Sequence, residues 1–388
     1  MSHRIPRVVF YVSLLLSLAG CGTFSDYLKG DDNAAPPTPL ADIKTTLRVS
    51  TGWSENIGKS DKAMLINLRP AAADGRLYIA SSGGQVSALD ANTGKTLWRT
   101  QTSTRLGGGP GVGDGLVIVG SREGEVFALS ATDGKELWHS RVTSEVLSVP
   151  AAASGVVVAR AIDGRLFGLS AVDGKRLWTH DRTVPVLTLR GSSSPVLYRG
   201  LVVYGSDSGR LTALLLKKGF PVWERSIAFP SGRSELDRIV DIDGDPLILD
   251  DIVYAASYQG SIAALDIRTS KTLWKRNFSS FNGMSADKSN LYVTDDEGNV
   301  WALDRRSGAS LWKQDQLLNR QVSGPAVLGE YVVVGDFEGY LHWMSVEDGR
   351  FVARIKVAGS GIDSQPLSDG KQIYSYSKDG TLTASSVQ

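Results

Sequence analysis

The stretch Ala128-Leu129-Ser130-Ala131-Thr132-Asp133-Gly134-Lys135-Glu136-Leu137-Trp138 recurs along the chain, and this periodicity constrains the fold more than any other feature. Copies end at Trp98, Trp178, Trp223, Trp274 and Trp312, and a degenerate copy over 345–353 has Ala353 in the Trp place. Each unit is about 40 residues, the length of one supersecondary unit in a repeat array. A unit opens on a Pro-led apolar segment, as at Pro110 or Pro150, and turns at Asp114-Gly115 or Ser154-Gly155. A β-branched run such as Val156-Val157-Val158 follows, then a Gly turn, then an alternating run such as Glu125-Val126-Phe127-Ala128-Leu129. A last Gly turn leads into the segment that carries Trp. Short runs bounded by Gly, Asp and Ser read as antiparallel strands. Four strands per unit, repeated radially, make a β-propeller blade.

The Gly before the third strand recurs at Gly84, Gly124, Gly164, Gly209, Gly260, Gly298, Gly339 and Gly380. The expected fold is therefore all-β: an eight-bladed β-propeller of four-stranded antiparallel blades. The chain stops at Gln388, before the eighth unit has an outer strand. Residues 47–54 resemble an outer strand with no blade before it, and their Trp53 precedes Trp98 by 45 positions. We expect this N-terminal strand to complete the last blade and close the ring, which removes an exposed sheet edge. The Trp residues then pack between blades and have no catalytic role.

The first residues fall outside the repeat. Arg4 and Arg7 precede an apolar run from Val8 to Leu18, too short to span a bilayer as a stable helix. Leu18-Ala19-Gly20-Cys21 follows, a bacterial lipobox, and Cys21 is the single cysteine of the chain. The expected organisation is a lipoprotein signal peptide over 1–20, a lipidated Cys21 with a polar, Pro-rich tether over 21–41, and the propeller over 42–388. Several acyl chains on Cys21 make a stable anchor. By the empirical sorting pattern, Gly22 after the cysteine favours the outer membrane, with the protein facing the periplasm. A formal net charge of +1 gives no sign of nucleic acid or of an acidic substrate.

Loop length separates two connections from the rest. Trp98 to Pro110 and Trp138 to Pro150 each span 12 positions, whereas Trp178 to Pro195 spans 17 and Trp223 to Pro246 spans 23. Both long connections lead from an outer strand to the next inner strand, and they are consecutive, so they should lie side by side on one face. Adjacent enlarged loops on a rigid scaffold are a candidate binding surface. The first carries Leu187 and Leu189 at alternate positions beside Arg190, and the second runs from Arg233 to Asp245 through Asp241 and Asp243. Apolar anchors beside Arg and carboxylates suit a protein interface. The alternative is that the leucines pack into the blade and the charges are solvated.

Other chemistry finds little support. Asp241, Asp243 and Asp245 match the opening spacing of an EF-hand, but Gly244 is misplaced and Ile252 stands where the last ligand should be. His3, His139, His180 and His342 lack zinc-ligand spacing. No G-x-S-x-G elbow or Walker loop occurs. No metal, cofactor or catalytic residue is therefore assigned.

The repeat seen at 88–98, Ala-Leu-Asp-Ala-x-Thr-Gly-Lys-x-Leu-Trp, resembles that of the quinoprotein (PQQ) dehydrogenases. Those enzymes often hold a disulfide of adjacent cysteines over the quinone, and this chain has no such pair. The lipobox, the eight repeats, the loops 187–191 and 237–243, and the stretch 335–343 together resemble the BamB family across the whole chain. These are lipoproteins of the outer-membrane β-barrel assembly (BAM) machinery. The resemblance implies a non-enzymatic scaffold that docks on the periplasmic POTRA domains of BamA and assists folding and insertion of outer-membrane proteins. It implies Leu187 and Leu189 as apolar contacts, Arg190 as a charged contact, and Asp241 and Asp243 as acidic contacts. Nascent outer-membrane proteins are a further expected partner, with exposed outer strands open to strand addition. Two departures, Ser270 at a turn Gly and the 215–218 turn without the repeat Asp, touch blade turns only. A PQQ-dependent dehydrogenase and a cell-wall- or carbohydrate-binding propeller stay as rival classes.

Overall fold

The computed structural model of the protein describes residues 35–58, 67–182, 187–188, 193–231 and 233–388. It divides into two units, Met1–Pro37 and Thr38–Gln388. In the first, the described residues 35–37 carry no regular structure. In the second, the described strands form eight sheets, each built on four antiparallel strands and arranged as the blades of a β-propeller. Blade 1 shows the plan: Ala71–Ala73, Arg76–Ala80, Gln85–Asp90 and Thr96–Gln101 pair in sequence order. The eighth blade takes three strands from the C-terminus and its outer strand, Val49–Asn56, from the N-terminal side. That strand pairs with Thr381–Val387, from Val49 opposite Val387 to Asn56 opposite Thr381. The ring is closed as the stray Trp53 implied. One pairing had no sequence signal: Asn67–Leu68 lies parallel to the inner strand of blade 2, Leu106–Gly113, making that sheet five-stranded.

Burial follows position within the blade. A middle strand is covered on both faces by the neighbouring blades, so Leu116–Ser121 is buried at every residue. This is why the second strand of each unit reads as a continuous apolar run. In the outer strand Glu136–Arg141 only Trp138 is buried.

Each outer-strand Trp reaches the following blade. The indole N–H of Trp98 donates to Ala131 O at 3.2 Å, that of Trp138 to Ala171 O at 3.0 Å, and that of Trp274 to Arg305 O at 2.8 Å. Trp53 does the same across the closure, donating to Ala91 O at 3.1 Å. The ring lies against the Gly of the next blade's last turn. At Gly308, with φ 72°, an added Cβ would stand 2.5 Å from Trp274 Cε3. Glycine is required there twice over, by the left-handed backbone and by the indole. Ser270 replaces that Gly in blade 5 and adopts φ 56°.

The degenerate copy in blade 7 has a physical reason. A Trp at Ala353 would have to meet the last turn of blade 8, but blade 8 has no such turn, because its third and fourth strands come from opposite ends of the chain. Leu47 fills that place, packed in one buried cluster with Ala353 and Val352.

Every outer strand also breaks register one residue before the Trp position, as between Ala88 and Leu89 opposite Thr96 and Trp98. In blades 1 to 6 the bulged residue, Leu97 or its equivalent, turns outward, and a β-bulge at an edge blunts its capacity to pair with another strand.

Candidate functional site

The two long connections, 181–195 and 227–246, are joined to each other in the structure. The Ser194 N–H donates to Asp245 Oδ1 at 2.6 Å. Asp245 also pairs with Arg69, while Ser194 Oγ accepts from Val149 N at 3.0 Å. The expectation that these loops lie side by side therefore holds where they reach the inner strands.

Beneath them lies Arg160, 2% exposed at the end of the second strand of blade 3. Its Nη2 pairs with Asp207 Oδ1 at 2.5 Å, and its Nη1 donates to Gly205 O at 2.8 Å and Ser193 O at 3.2 Å. Its guanidinium carbon lies 5.8 Å from the centroid of the Tyr204 ring. One cation thus ties blade 3 to blade 4 and to the first long loop. The second loop is tied down through its apolar residues: Ile239, Val240 and Ile242 are buried. Gly205 admits Ile242 so closely that an added Cβ would stand 2.2 Å from Ile242 Cγ2. Ile242 N donates to Ser206 O at 3.2 Å, and Asp241 O accepts from Tyr258 N at 2.9 Å.

The structure separates the residues that the resemblance grouped as contacts. Leu187 is exposed. Leu189, Arg190 and the lipidation residue Cys21 lie outside the described residues. Asp241 is fully buried, so its carboxylate does not stand at a surface where a partner could touch it. Burial of the Ile239–Ile242 run carries it inward. Asp243 is half-buried, and its Oδ1 is enclosed with no hydrogen-bond partner. Burial and the neighbouring Asp241 and Asp207 carboxylates push its carboxyl well above the usual carboxylate range, against the pull of Arg160. Asp207, Asp241 and Asp243 thus lie close together at the buried Arg160, an acid-rich pocket beneath the two loops.

Apolar side chains that the sequence reading passed over stand exposed nearby. Leu236 and Phe229 project from the second loop, and Phe281 from the next connection, its ring 6.3 Å from Tyr258. Leu236 could have been noticed as a lone apolar residue between Glu235 and Asp237. Arg160 could have been noticed too, as a cation inside a buried β-branched run.

The inner strands surround a cavity of about 540 Å³ lined chiefly by Pro, Ala and Val, including Pro110, Pro150 and Pro195. A quinone cofactor with its metal needs several cations for its carboxylates and a set of hard oxygen donors. The charged lining here is Arg69 and Asp245, already paired with each other. Among the described residues no group of three or more His, Cys, Asp or Glu could hold a metal. The cavity residues do not fit that cofactor.

Comparison with known proteins agrees with this geometry. The family model described as "Outer membrane protein assembly factor BamB" matches residues 50–105 and 82–314. A curated protein of that name from Pseudomonas aeruginosa is 44% identical over 377 residues, covering 97% of this chain and 98% of its own. The crystal structure of BamB from Moraxella catarrhalis superposes with a TM-score of 0.79 at 27% identity, covering 87% of this chain and 100% of that one. A quinohemoprotein alcohol dehydrogenase from Comamonas testosteroni, at a TM-score of 0.67 and 15% identity over 93% of this chain and 82% of its own, shares the fold alone. With repeat, fold and near-full-length identity all in agreement, the chain belongs to the BamB family of outer membrane protein assembly factors.

Proposed function

We propose that this chain is a non-enzymatic scaffold of the BAM machinery that docks on the POTRA domains of BamA through its two long loops. Cys21 carries the lipid that holds it to the outer membrane, facing the periplasm, and the residues after it serve as the tether. Leu187, Leu189 and Arg190 supply contacts from the first loop, and Leu236 supplies one from the second. Asp243 receives a cation from the partner, while Asp241 acts from within by holding its loop. The observation that carries the reading is the joined pair of enlarged loops, anchored on Arg160 and bearing exposed leucines over an acid-rich pocket. Strand addition at the outer edges is not needed for it, since each outer strand is interrupted by a bulge.

Asp243→Asn tests the reading, because binding and folding should move in opposite directions. A carboxyl whose folded-state pKa is raised contributes stability at low pH that is lost as pH rises through the folded value. At neutral pH the isosteric amide removes that cost, so unfolding stability should stay level or rise by about 1 kcal/mol. Co-purification with BamA should fall, because the partner's cation loses its counter-charge. Unchanged co-purification would remove Asp243 from the interface, and a large loss of stability would show that its charge serves the fold.

A further inference from the structure

The stretch 335–343, which marks the family resemblance without lying in either long loop, holds a buried ionic network at the edge of blade 7. Asp336 and His342 are fully buried and Arg320 nearly so. Arg320 Nε and Nη2 both donate to Asp336 Oδ2, at 3.0 and 2.8 Å. His342 Nε2 lies 3.0 Å from the same oxygen. Arg354 Nε donates to His342 Nδ1 at 3.2 Å, which makes Nδ1 the acceptor and leaves the ring proton on Nε2, facing Asp336.

Arg320 Nη2 also pairs with Glu338, and each arginine turns its Nη1 on one short piece of backbone. Arg320 Nη1 donates to Thr38 O at 3.0 Å, and Arg354 Nη1 to Ala41 O at 2.9 Å. Thr38 N returns a bond to Leu318 O at 3.0 Å, and Leu40 packs against the buried cluster that includes Leu317 and Trp312. Six residues on, Thr46 and Leu47 donate to Val352 O, at 2.9 and 3.1 Å, on the outer strand of blade 7. Val352 is 3% exposed, whereas its counterparts Leu97, Leu137, Leu177, Val222, Leu273 and Leu311 are 45–52% exposed. The cover over Val352 is this N-terminal segment.

We propose that residues 38–47 form a strap over the outer edge of blade 7, and that Arg320, Asp336, His342 and Arg354 are its clasp. Two carbonyls of the strap are read by two guanidinium groups, and those groups are aimed by a shared carboxylate and an imidazole. The strap covers the one blade that has no outer Trp to pack on its neighbour. It also extends the contacts of the chain with the propeller back from Val49 to Thr38.

Amide hydrogen exchange of the full chain tests this through Thr38, Thr46 and Leu47. Three variants act on different parts: Arg354→Gln at the half-buried end of the clasp, Arg320→Gln at its buried centre, and Leu40→Ser on the apolar anchor. Each should speed exchange of the strap amides by about tenfold or more, while Trp53 to Asn56 in the closing strand keep their protection. Arg354→Gln and Leu40→Ser decide the matter if Arg320→Gln does not fold. Strap exchange within about twofold of the parent in these variants would overturn the clasp. So would equal loosening of the closing strand, which would assign the network to ring closure.

Discussion

Arg160→Ala should lower unfolding stability by about 3–5 kcal/mol, the usual cost of removing one partner of a buried ion pair. The cost arises from what is left behind. Asp207 would remain buried without its cation, and the carbonyls of Ser193 and Gly205 would each lose a donor. Since Asp207 already raises the Asp243 carboxyl, loss of Arg160 also removes a cation that draws it down. Stability and partner binding should therefore fall together, unlike the opposed effects expected for Asp243→Asn. Denaturant unfolding measures the first and co-purification the second. A double change, Arg160→Met with Asp207→Leu, should recover much of the stability, because it removes the stranded charge along with its partner. An Arg160→Ala protein as stable as the parent would show that the pair is not what holds blade 3 to blade 4.

Trp274→Ala should cost a similar amount, about 3–5 kcal/mol, because it opens a cavity between blades 5 and 6. The indole covers Gly308 and donates to Arg305 O, so the variant loses packing and a buried hydrogen bond at once. Trp274→Phe separates these terms and should cost less, since most of the packing stays. The reverse change in blade 7 should gain nothing. Ala353 is buried in a cluster already filled by Leu47, so Ala353→Trp should destabilise by about 1–3 kcal/mol through overpacking. Stabilisation by Ala353→Trp would contradict the reading that the ring seam, not sequence drift, removed that Trp.

These residues also show what could be read in advance. Blade number, strand order and closure by the strand around Trp53 follow from a repeat in which each unit must bury its faces against the next. That logic is local and periodic, and so is visible in sequence. The long loops were visible too, as departures from a fixed spacing. What a spacing does not carry is depth. Asp241 and Asp243 stand two positions apart, yet one is fully buried and the other half-buried. The difference arises because Ile239, Val240 and Ile242 turn the loop inward against Gly205. The clasp was equally hidden: Arg320 and Asp336 lie 16 positions apart, and their third partner, Thr38, is 282 positions from Arg320. No periodic signal links such residues, because their meeting is decided by closure of the ring.

The central claim is that the paired loops face BamA. A photo-reactive residue in place of Leu187 and, separately, of Leu236 would test it in living cells, since both side chains are exposed and neither supports a blade. BamA adducts from both positions, and none from Leu137 on an outer strand, are expected. Folded, membrane-bound protein that yields no BamA adduct from either loop, or an equal adduct from Leu137, would contradict the assignment of this surface.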